Sequence, residues 1–346
     1  MDILKAQLQL MPEWKDMLQQ RYQILYTIAL SKGIGRRTLA ETLQLSEREV
    51  RKEFDLLRAQ GLILVSREGA EVTPPGQQLL VELKSLVDEW SGRNEKETTL
   101  KRLLGIEEVH IVAGNSDDSE QAQLLLADEA AKWIFANLKP RMITAVTGGT
   151  TIAKIADHLP QSSKIEQLQF VAARGGIGKD VQLQANTIAA LFAEKLNGSY
   201  KTLYIPDRLS ESAYEAMTQE PFVQEMMALY EQMSILVHGI GDATEMARRR
   251  SSSSEELKLL KEQQAVSEAF GYYFNARGEV VHRIRTIGVQ LEQLEQTPHI
   301  VAVAGGAQKA HALDSYFQQA PKQTVLITDE GAADQLIKEH TLQEEF

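Results

Sequence analysis

The sequence predicts an α/β protein in two parts, a winged helix-turn-helix domain followed by a larger domain with a mostly parallel sheet. Residues 38–73 show the patterns of two short amphipathic helices, a tight connection between them and a hairpin. From Leu100 onward, short β-branched runs alternate with helical patterns, as in βαβ units. We therefore predict one domain at residues 1–90, a polar linker at 91–99 and a second domain at 100–346.

The composition is that of a globular protein. The chain has 346 residues, of which 43% are hydrophobic and 25% charged, so it is long enough for two or three domains. No window approaches the roughly 18 apolar residues of a membrane span, and we expect a cytoplasmic protein without a membrane partner. The absence of cysteine excludes disulfides. The seven histidines show no paired ligand spacing, so we expect neither a metal nor a cofactor.

The charge distribution bears on nucleic-acid binding. The net charge of −11 argues against a chain coated for nucleic acid. Residues 31–68, however, contain eight Lys or Arg and six Asp or Glu, which is a local net charge of +2. The acidic excess therefore lies outside the helix-turn-helix region.

Capping residues indicate where the N-terminal helices begin. Apolar residues recur every three or four positions across residues 4–28, with one interruption at Pro12, which predicts a short helix and a longer one. Thr38 is expected to cap the third helix. Ser46 is expected to cap the fourth, with Glu49 completing a capping box. The short connection between the third and fourth helices is typical of a helix-turn-helix.

A hairpin and a further helix follow. Residues 62–66 and 71–73 are predicted to form two antiparallel strands, the wing of a winged helix. The Pro-Pro-Gly run at 74–76 is expected to separate the wing from a helix with apolar residues across 79–90.

The outer face of the fourth helix is polar and can reach a DNA groove. We expect contacts to bases or phosphates from this helix and from the start of the preceding one. The predicted set is Arg36, Arg37, Ser46, Glu47, Arg48, Arg51 and Lys52. A protein–protein module with a solvated charged face is the alternative, because a helix-turn-helix scaffold does not determine function.

The stretch from Met142 to His158 indicates a small anion site. An apolar β-branched run predicts a buried strand, and helical spacing begins beyond a loop of two glycines and three threonines. Glycines allow close backbone approach, hydroxyls donate, and the first amides of the helix point toward the same place. The loop residues are Gly148, Gly149, Thr150 and Thr151. A tight helix cap without ligand is the alternative reading of the same residues.

Other predicted strands also end in polar or glycine-rich loops. A helix is predicted at 121–138, and strands at 109–113, 142–147, 170–173, 202–205, 235–237, 299–303 and 324–328. Arg174-Gly175-Gly176, His238 to Asp242 and Gly305 to Lys309 follow three of them. Each loop alone can be a tight turn. Together they suit a ligand with two anionic ends, with Arg174 as a planar fork, Lys309 as a point charge and Gly305 and Gly306 giving backbone access.

These motifs resemble the SorC family of transcriptional regulators over essentially the whole chain. The resemblance rests on Val-Thr-Gly-Gly-Thr-Thr, on Val-Ala-Ala-Arg-Gly-Gly with Gln-Ala-Asn-Thr-Ile-Ala-Ala, and on Val-Ala-Gly-Gly-Ala-Gln-Lys. Residues 268–275, Glu-Ala-Phe-Gly-Tyr-Tyr-Phe-Asn, point to a regulator of glycolytic genes. The resemblance implies a Rossmann-like effector domain similar to sugar-phosphate isomerases and deaminases. It also implies a repressor that binds operator DNA as a homo-oligomer, dimer or tetramer, with fructose 1,6-bisphosphate as effector.

The resemblance also implies which residues bind the effector. One phosphate would lie on the Gly-Gly-Thr-Thr loop. The other phosphate would lie near Arg174, Gln184 and Lys309, and Glu268 would bind sugar hydroxyls. Arg249 and Arg250, in an Arg-rich and Ser-rich loop, would close over the ligand, although that loop could equally be a surface segment.

An enzyme is the alternative function, because sugar-phosphate isomerases and glucosamine-6-phosphate deaminase share this fold. Those deaminases carry Gly-Ile-Gly-x-Asp-Gly-His, whereas here Gly239-Ile240-Gly241 leads into Asp242-Ala243-Thr244. His238 precedes the glycines and is expected to end a strand. Without a paired acid and base, we predict a sensor of phosphosugars and no catalysis.

Overall fold

The computed structural model describes residues 9–31, 33–176 and 180–344. The chain divides into two compact units. The first comprises the described residues through Glu95 together with 119–121, and the second comprises 96–118 and the residues from Ala122 onward. No helix in the described ranges is long and apolar enough to cross a bilayer.

The first unit is helical with one hairpin. Its elements are α1 Glu13–Leu30, α2 Arg36–Leu43, α3 Glu47–Ala59, β1 Ile63–Val65, β2 Ala70–Val72 and α4 Pro74–Trp90. Ile24, Leu39, Val50, Leu57 and Ile63 are buried in one apolar cluster. The elements follow one another in the order that a winged helix-turn-helix requires, and β1 pairs antiparallel with β2.

Two helix starts differ from the sequence prediction. Helix α2 begins at Arg36 with Gly35 as its N-cap, so Thr38 lies inside the first turn and is no cap. Ile34 forms a β-bridge with Ala70, Gly35 is still extended, and the helix begins at the next residue. The Pro-Pro-Gly run does not precede α4 but forms its first turn, because the Thr73 hydroxyl caps the helix and proline is tolerated there. The capping box at Ser46 is confirmed.

The polar run at 91–99 is largely helical. After a turn at 91–92, α5 extends from Arg93 to Leu104. The Arg93 side chain is buried and donates to Asp88 at 2.7 Å, which holds the start of α5 against the end of α4. Residues that we predicted as a linker therefore continue as a helix, although the division between the two units falls within them.

A seven-stranded parallel sheet forms the centre of the second unit. Its strands are β3 Glu108–Val112, β4 Ile143–Val146, β5 Gln169–Ala172, β6 Ser199–Lys201, β7 Ile235–His238, β12 His299–Val303 and β13 Thr324–Asp329. They lie in the order β3-β13-β12-β7-β4-β5-β6, and every neighbouring pair is parallel. Ile235 and Val237 pack into one apolar core and Leu236 into another, as expected of a strand covered on both faces.

Helices and a second sheet complete this unit. The helices are α6 Glu120–Asn137, α7 Thr150–His158, α8 Ala185–Leu196, α9 Glu211–Thr218, α10 Pro221–Glu231, α11 Ala243–Arg249, α12 Ser254–Glu262, α13 Leu291–Leu294, α14 Ala310–Phe317 and α15 Glu330–Glu344. The second sheet is antiparallel, in the order β11-β10-β9-β8, with β8 Gly241–Asp242, β9 Ala265–Ala269, β10 Tyr272–Asn275 and β11 Val280–Arg283. No strand of this sheet is marked clearly enough in the sequence to have been predicted.

One predicted strand is misplaced. Residues 202–205 were predicted as a strand, but the strand that pairs with β5 is β6, three positions earlier in the chain. The Asn186 side chain takes over the hydrogen bonds that a strand partner would make. Its Oδ1 accepts from the Leu203 amide at 2.8 Å and its Nδ2 donates to the Leu203 carbonyl at 3.1 Å.

Candidate functional site

A pocket of about 270 Å³ lies at the carboxyl edge of the parallel sheet. Loops after the adjacent strands β4 and β7 line it, and the strand order reverses between these two strands, which is where ligands bind in open α/β sheets. All ten residues predicted to bind ligand line this pocket: Gly148, Gly149, Thr150, Thr151, Arg174, Gln184, Arg249, Arg250, Glu268 and Lys309. The structure thus brings them together, while their contact with a ligand stays a prediction.

The loop between β4 and α7 has the backbone of an anion site. A Cβ at Gly148 would lie 2.6 Å from the Leu183 carbonyl oxygen, so a larger residue requires a backbone shift. Gly149 has φ 123° and ψ 161°, and it caps α7 without any side chain. The amides of residues 150–152 precede the first intrahelical donor, Ala153 N–H, and therefore point out of the helix end.

Four charged side chains form a buried network beside this loop. Asp207 Oδ1 accepts from Arg174 Nε at 2.6 Å, and Asp207 Oδ2 accepts from Arg250 Nε at 3.0 Å. Glu268 Oε1 accepts from Arg250 Nη2 at 2.7 Å and from Arg174 Nη1 at 3.3 Å. The Tyr273 hydroxyl accepts from Arg250 Nη1 at 3.0 Å. Two positive and two negative charges therefore balance beside the pocket, and all but Asp207 belong to its lining.

The network determines the charge states of its members. Burial would raise the pKa of Glu268, but the charges of Arg250 and Arg174 outweigh burial and hold this pKa below its ordinary value. Burial would lower the pKa of Arg250, but Glu268, Tyr273 and Asp207 outweigh it, so this pKa is raised. Burial raises the pKa of the Tyr273 hydroxyl. Glu268 is therefore an ionised acceptor at neutral pH.

The Arg-rich segment is not the loop that we expected. Arg249 is the last residue of α11 and Arg250 is its C-cap, because Asp242 caps the start of this helix and the chain turns at Ser251 and Ser252. The Arg249 side chain is exposed at the rim of the pocket. In contrast, the Arg250 side chain is only 3% exposed and is held in the buried network. The two neighbouring arginines thus have different surroundings.

The Gly305-Gly306 backbone does not provide the open anion site that we predicted. Gly306 N–H donates to Asp329 Oδ2 at 2.8 Å, and Gln308 N–H donates to Asp117 Oδ2 at 2.9 Å. The Ala307 amide donates to the Asn115 side chain at 3.2 Å. The protein's own side chains therefore occupy these donors. Lys309 ends the 3₁₀ turn Ala307–Lys309, and its side chain is the contribution of this loop to the pocket.

Gln184 and two acidic residues complete the polar lining. Gln184 Nε2 donates to the Asp180 carbonyl at 3.0 Å, which holds the segment before α8. The Asp180 side chain caps the 3₁₀ turn Val181–Leu183. Asp180 and Glu245 line the pocket at exposed positions, where water screens their charges.

His238 is poorly suited to acid–base chemistry. It ends β7 as predicted, is fully buried and does not line the pocket. Burial lowers the pKa of His238 to about 4, so its imidazole is neutral at physiological pH. Its Nδ1 lies 3.1 Å from the Gly239 carbonyl oxygen, and the Tyr316 hydroxyl lies 3.3 Å from its Nε2. Within the described residues, no group of three or more His, Cys, Asp or Glu is placed to hold a metal.

The seven residues predicted to contact DNA are all exposed: Arg36, Arg37, Ser46, Glu47, Arg48, Arg51 and Lys52. Ser46 also has a local role, because its N–H donates to Glu49 Oε2 at 2.9 Å and its Oγ accepts from Glu49 N–H at 3.2 Å. Arg37 pairs with Glu41 at 3.1 Å, and such an exposed pair is weak. The face is accessible, and its contact with DNA stays a prediction.

Sequence reasoning missed several residues of the pocket region. Asp207 lies in the irregular connection between β6 and α9, where no motif marks it. Phe270 and Gly271 form the turn of the β9–β10 hairpin with φ values of +55° and +86°. A Phe at positive φ is uncommon, and its ring packs 4.5 Å from that of His238 and lines the pocket. Thr147 Oγ1 is buried without a hydrogen-bond partner in the described structure.

Family comparisons agree with the two-part organisation. The family model for a sugar-binding domain matches residues 88–338, and the model for a CggR N-terminal DNA binding domain matches residues 17–87. Among curated relatives, the central glycolytic genes regulator of Bacillus subtilis is 42% identical over 337 residues, which are 97% of this chain and 99% of the relative. The regulator of the same name from Priestia megaterium is 43% identical over 342 residues, 97% of this chain and 98% of the relative.

Similar solved structures are also transcriptional regulators. A SorC family transcriptional regulator from Enterococcus faecalis is 40% identical with a TM-score of 0.66, and the match covers 70% of this chain and 99% of that chain. The full-length sorbitol operon regulator SorC from Klebsiella pneumoniae is 16% identical with a TM-score of 0.68, and the match covers 88% of this chain and 94% of that chain. At that identity the second likeness concerns the fold alone.

Proposed function

Because the chain belongs to the SorC family of transcriptional regulators and aligns over nearly its full length with central glycolytic genes regulators, we propose that it represses glycolytic genes and is released from operator DNA by a phosphorylated sugar. Its DNA-binding and sugar-binding domains make it a sugar-responsive transcriptional regulator and not an enzyme.

Fructose 1,6-bisphosphate is the effector that we propose. One phosphate would bind the amides at the start of α7 together with the hydroxyls of Thr150 and Thr151. The other would bind Lys309 and Arg249, two cations in the pocket lining for which no ion pair occurs within the described residues. Arg174 also lines the pocket and would add its positive charge to this end of the site.

One observation supports this proposal above the others. Candidate anion-binding groups line one pocket, and His238, the residue that could have served as an acid or base, is buried and does not line it. A pocket with these properties binds a phosphosugar and does not transform it.

Regulation then follows from differential affinity. Without effector, α3 would place Arg48, Arg51 and Lys52 on DNA, while Arg36 and Arg37 would contact the phosphate backbone. We propose a homo-oligomer, a dimer that becomes a tetramer on DNA, with the apolar residues of α4 as one contact. The effector must prefer the released arrangement by about 5.5 kcal/mol for a near-complete switch.

The melting temperature of the full-length protein with a panel of phosphosugars tests the effector. A ligand at a hundredfold excess over its Kd stabilises the folded state by about 2.7 kcal/mol. We expect a large shift with fructose 1,6-bisphosphate, a smaller one with fructose 6-phosphate and none with fructose. Equal shifts with the mono- and bisphosphate would contradict the two-phosphate site.

Release of an operator fragment tests the link between the two domains. We expect fructose 1,6-bisphosphate to release DNA from the wild type but not from Thr151→Val, which removes one hydroxyl and keeps the side-chain shape. This variant is preferable to Arg174→Ala, which would leave buried Asp207 and Glu268 short of positive charge. Unchanged release from Thr151→Val would place the phosphate elsewhere.

A further inference from the structure

We propose that Asp207 and Arg250 are positioning residues of the effector pocket, which hold Arg174 and Glu268 in the orientation that receives the phosphosugar. This inference rests on the proposed function and adds two residues that act through others. It also assigns Arg250 a different role from Arg249, its neighbour in the chain.

Asp207 is placed to orient arginines and not to touch ligand. It is 6% exposed and is not part of the pocket lining. Its two carboxylate oxygens divide between two guanidinium groups, with Oδ1 on Arg174 Nε and Oδ2 on Arg250 Nε. Because the contacts reach each arginine at Nε, they restrict the rotation of both guanidinium planes. Arg174 can then present its remaining donors in one direction only.

Protein partners hold the Arg250 guanidinium at all three of its nitrogens. Each of its three guanidinium nitrogens donates to a different partner, namely Asp207, the Tyr273 hydroxyl and Glu268. Its side chain is 3% exposed, whereas Arg249 is exposed. Because every nitrogen has a protein partner, the guanidinium cannot shift toward a ligand without breaking one of these bonds. The geometry therefore favours a role in holding Glu268 over a role in contacting phosphate.

The two arginines hold one carboxylate oxygen of Glu268 and leave the other without a protein donor among the described residues. Three donors converge on its Oε1: Arg250 Nη2 at 2.7 Å, Arg174 Nη1 at 3.3 Å and the Gly271 amide at 2.6 Å. In the described part of the chain, Oε2 accepts no hydrogen bond, and the residue lines the pocket. One oxygen is thus fixed by the protein, and the other remains as an acceptor for a sugar hydroxyl. Asp207 supports this state indirectly by keeping both arginines in place.

The charges around Glu268 make the pH dependence of effector binding a test of the positioning role, because a purely structural role would not change this pH dependence. The groups that face it are His238 from β7, Arg174 after β5, Asp207 before α9, Arg250 after α11 and Tyr273 from β10. Arg250 is the largest of the influences that keep the Glu268 carboxyl ionised despite burial. Without Arg250, protonation of Glu268 should move toward neutral pH, and effector binding should then depend on pH more steeply than in the wild type.

Calorimetric titration of full-length variants with fructose 1,6-bisphosphate tests the inference. We expect Arg250→Met to weaken binding at least tenfold at pH 7, and Arg250→Lys to restore part of the loss. The ratio of variant to wild-type Kd should be larger at pH 6 than at pH 8, and this ratio cancels the titration of the ligand phosphates. In a Glu268→Gln background, Arg250→Met should cause little further loss, because the group that it positions is already altered. Arg277→Met, at an exposed ion pair of the same unit, is the matched control.

The isosteric variant Asp207→Asn keeps the inference testable if Arg250→Met does not fold. It removes the charge of the bridging carboxylate, and we expect at least fivefold weaker binding with a melting curve that still shows one folded protein. Wild-type affinity in either folded variant, or equal losses for Arg250→Met with and without Glu268→Gln, would overturn the inference. A wild type that binds no phosphosugar at all would instead contradict the proposed function.

Discussion

Replacing Gly149 by alanine should introduce backbone strain of about 1–3 kcal/mol. This strain should weaken phosphosugar binding by about 5- to 150-fold or, if it is also present without ligand, destabilise the folded protein by the same free energy. Gly149 has φ 123° and ψ 161°, a combination that residues with a Cβ rarely adopt. No heavy atom lies within 4 Å of the position that its Cβ would take, so the effect is one of backbone strain and not of a clash.

The loss of affinity depends on whether the backbone strain is also present in the ligand-free protein. If the loop relaxes in the ligand-free variant, the amides of residues 150–152 leave their positions at the start of α7 and must be brought back on binding. The strain of about 1–3 kcal/mol then appears as lost affinity, because each 1.4 kcal/mol corresponds to a factor of ten. If the hydrogen bond of 2.9 Å from Gly149 N–H to Leu183 holds the loop, the same strain appears as lost stability.

Two measurements on the same sample separate these cases. Calorimetric titration with fructose 1,6-bisphosphate gives the change in affinity, and chemical denaturation without ligand gives the change in free energy of unfolding. Gly105→Ala is the matched control, since Gly105 also has positive φ, at +67°, and open space around its Cβ, but does not line the pocket. It should lower stability without changing affinity.

A Gly149→Ala protein with both affinity and stability within about 0.5 kcal/mol of the wild type would contradict the strain at this position. Such a result would mean that the loop adopts another backbone conformation in solution. It would remove the main argument for a phosphate at the start of α7.

Three further predictions concern other parts of the chain. Arg51→Ala with Lys52→Ala should abolish operator binding or, if binding remains, reduce the slope of log K against log salt by about 2. The rise in melting temperature that a phosphosugar causes should stay intact. Ser46→Ala should destabilise the N-terminal unit by about 1 kcal/mol in denaturant titrations, because it removes the cap of α3. His110→Gln should reduce the loss of thermal stability that the wild type shows as pH rises above about 6.5.

The surroundings of His110 explain why its contribution to stability is lost as pH rises. Burial would lower its pKa, but hydrogen bonds to Glu129 at 3.2 Å and to Glu108 at 2.7 Å outweigh burial and raise it. A raised pKa stabilises the folded protein fully below the unfolded value and ceases to do so as pH rises through the folded value. Melting temperatures at pH 5.5 and 8.5 check it, and equal pH dependence in variant and wild type would contradict it.

The other two predictions have simple controls. Lys258→Ala, an exposed charge on α12, should leave operator binding unchanged, so that a loss there would indicate a general effect of charge. Ser85→Ala, at an exposed position within α4, should change stability by less than about 0.5 kcal/mol. Loss of phosphosugar binding in the Arg51 and Lys52 variant would indicate misfolding, and an unchanged Ser46 variant would mean that α3 does not depend on its cap.

The sequence by itself determined the features that depend on near neighbours in the chain. The capping box of Ser46 and Glu49 spans three residues, and the Gly-Gly-Thr-Thr loop links a strand directly to a helix. Hydrophobic periodicity placed most strands of the parallel sheet within a residue or two, because a buried strand is marked by its own residues. The carboxyl ends of parallel strands meet at one edge, which is why the loops with Gly148, Arg174 and Lys309 come together, whereas Gln184, Arg249, Arg250 and Glu268 were predicted from the family resemblance.

Only the tertiary structure decided how the charges pair. Arg174 meets Asp207 and Glu268 from 33 and 94 residues away, and Asp329 reaches Gly306 across 23 residues. No local pattern specifies such partners, because they depend on which loops the sheet order brings together. The physical reason is that a buried charge must find an opposite charge wherever the fold provides one. This requirement commits Arg250 to the protein and leaves Arg249, one residue earlier, at the mouth of the pocket.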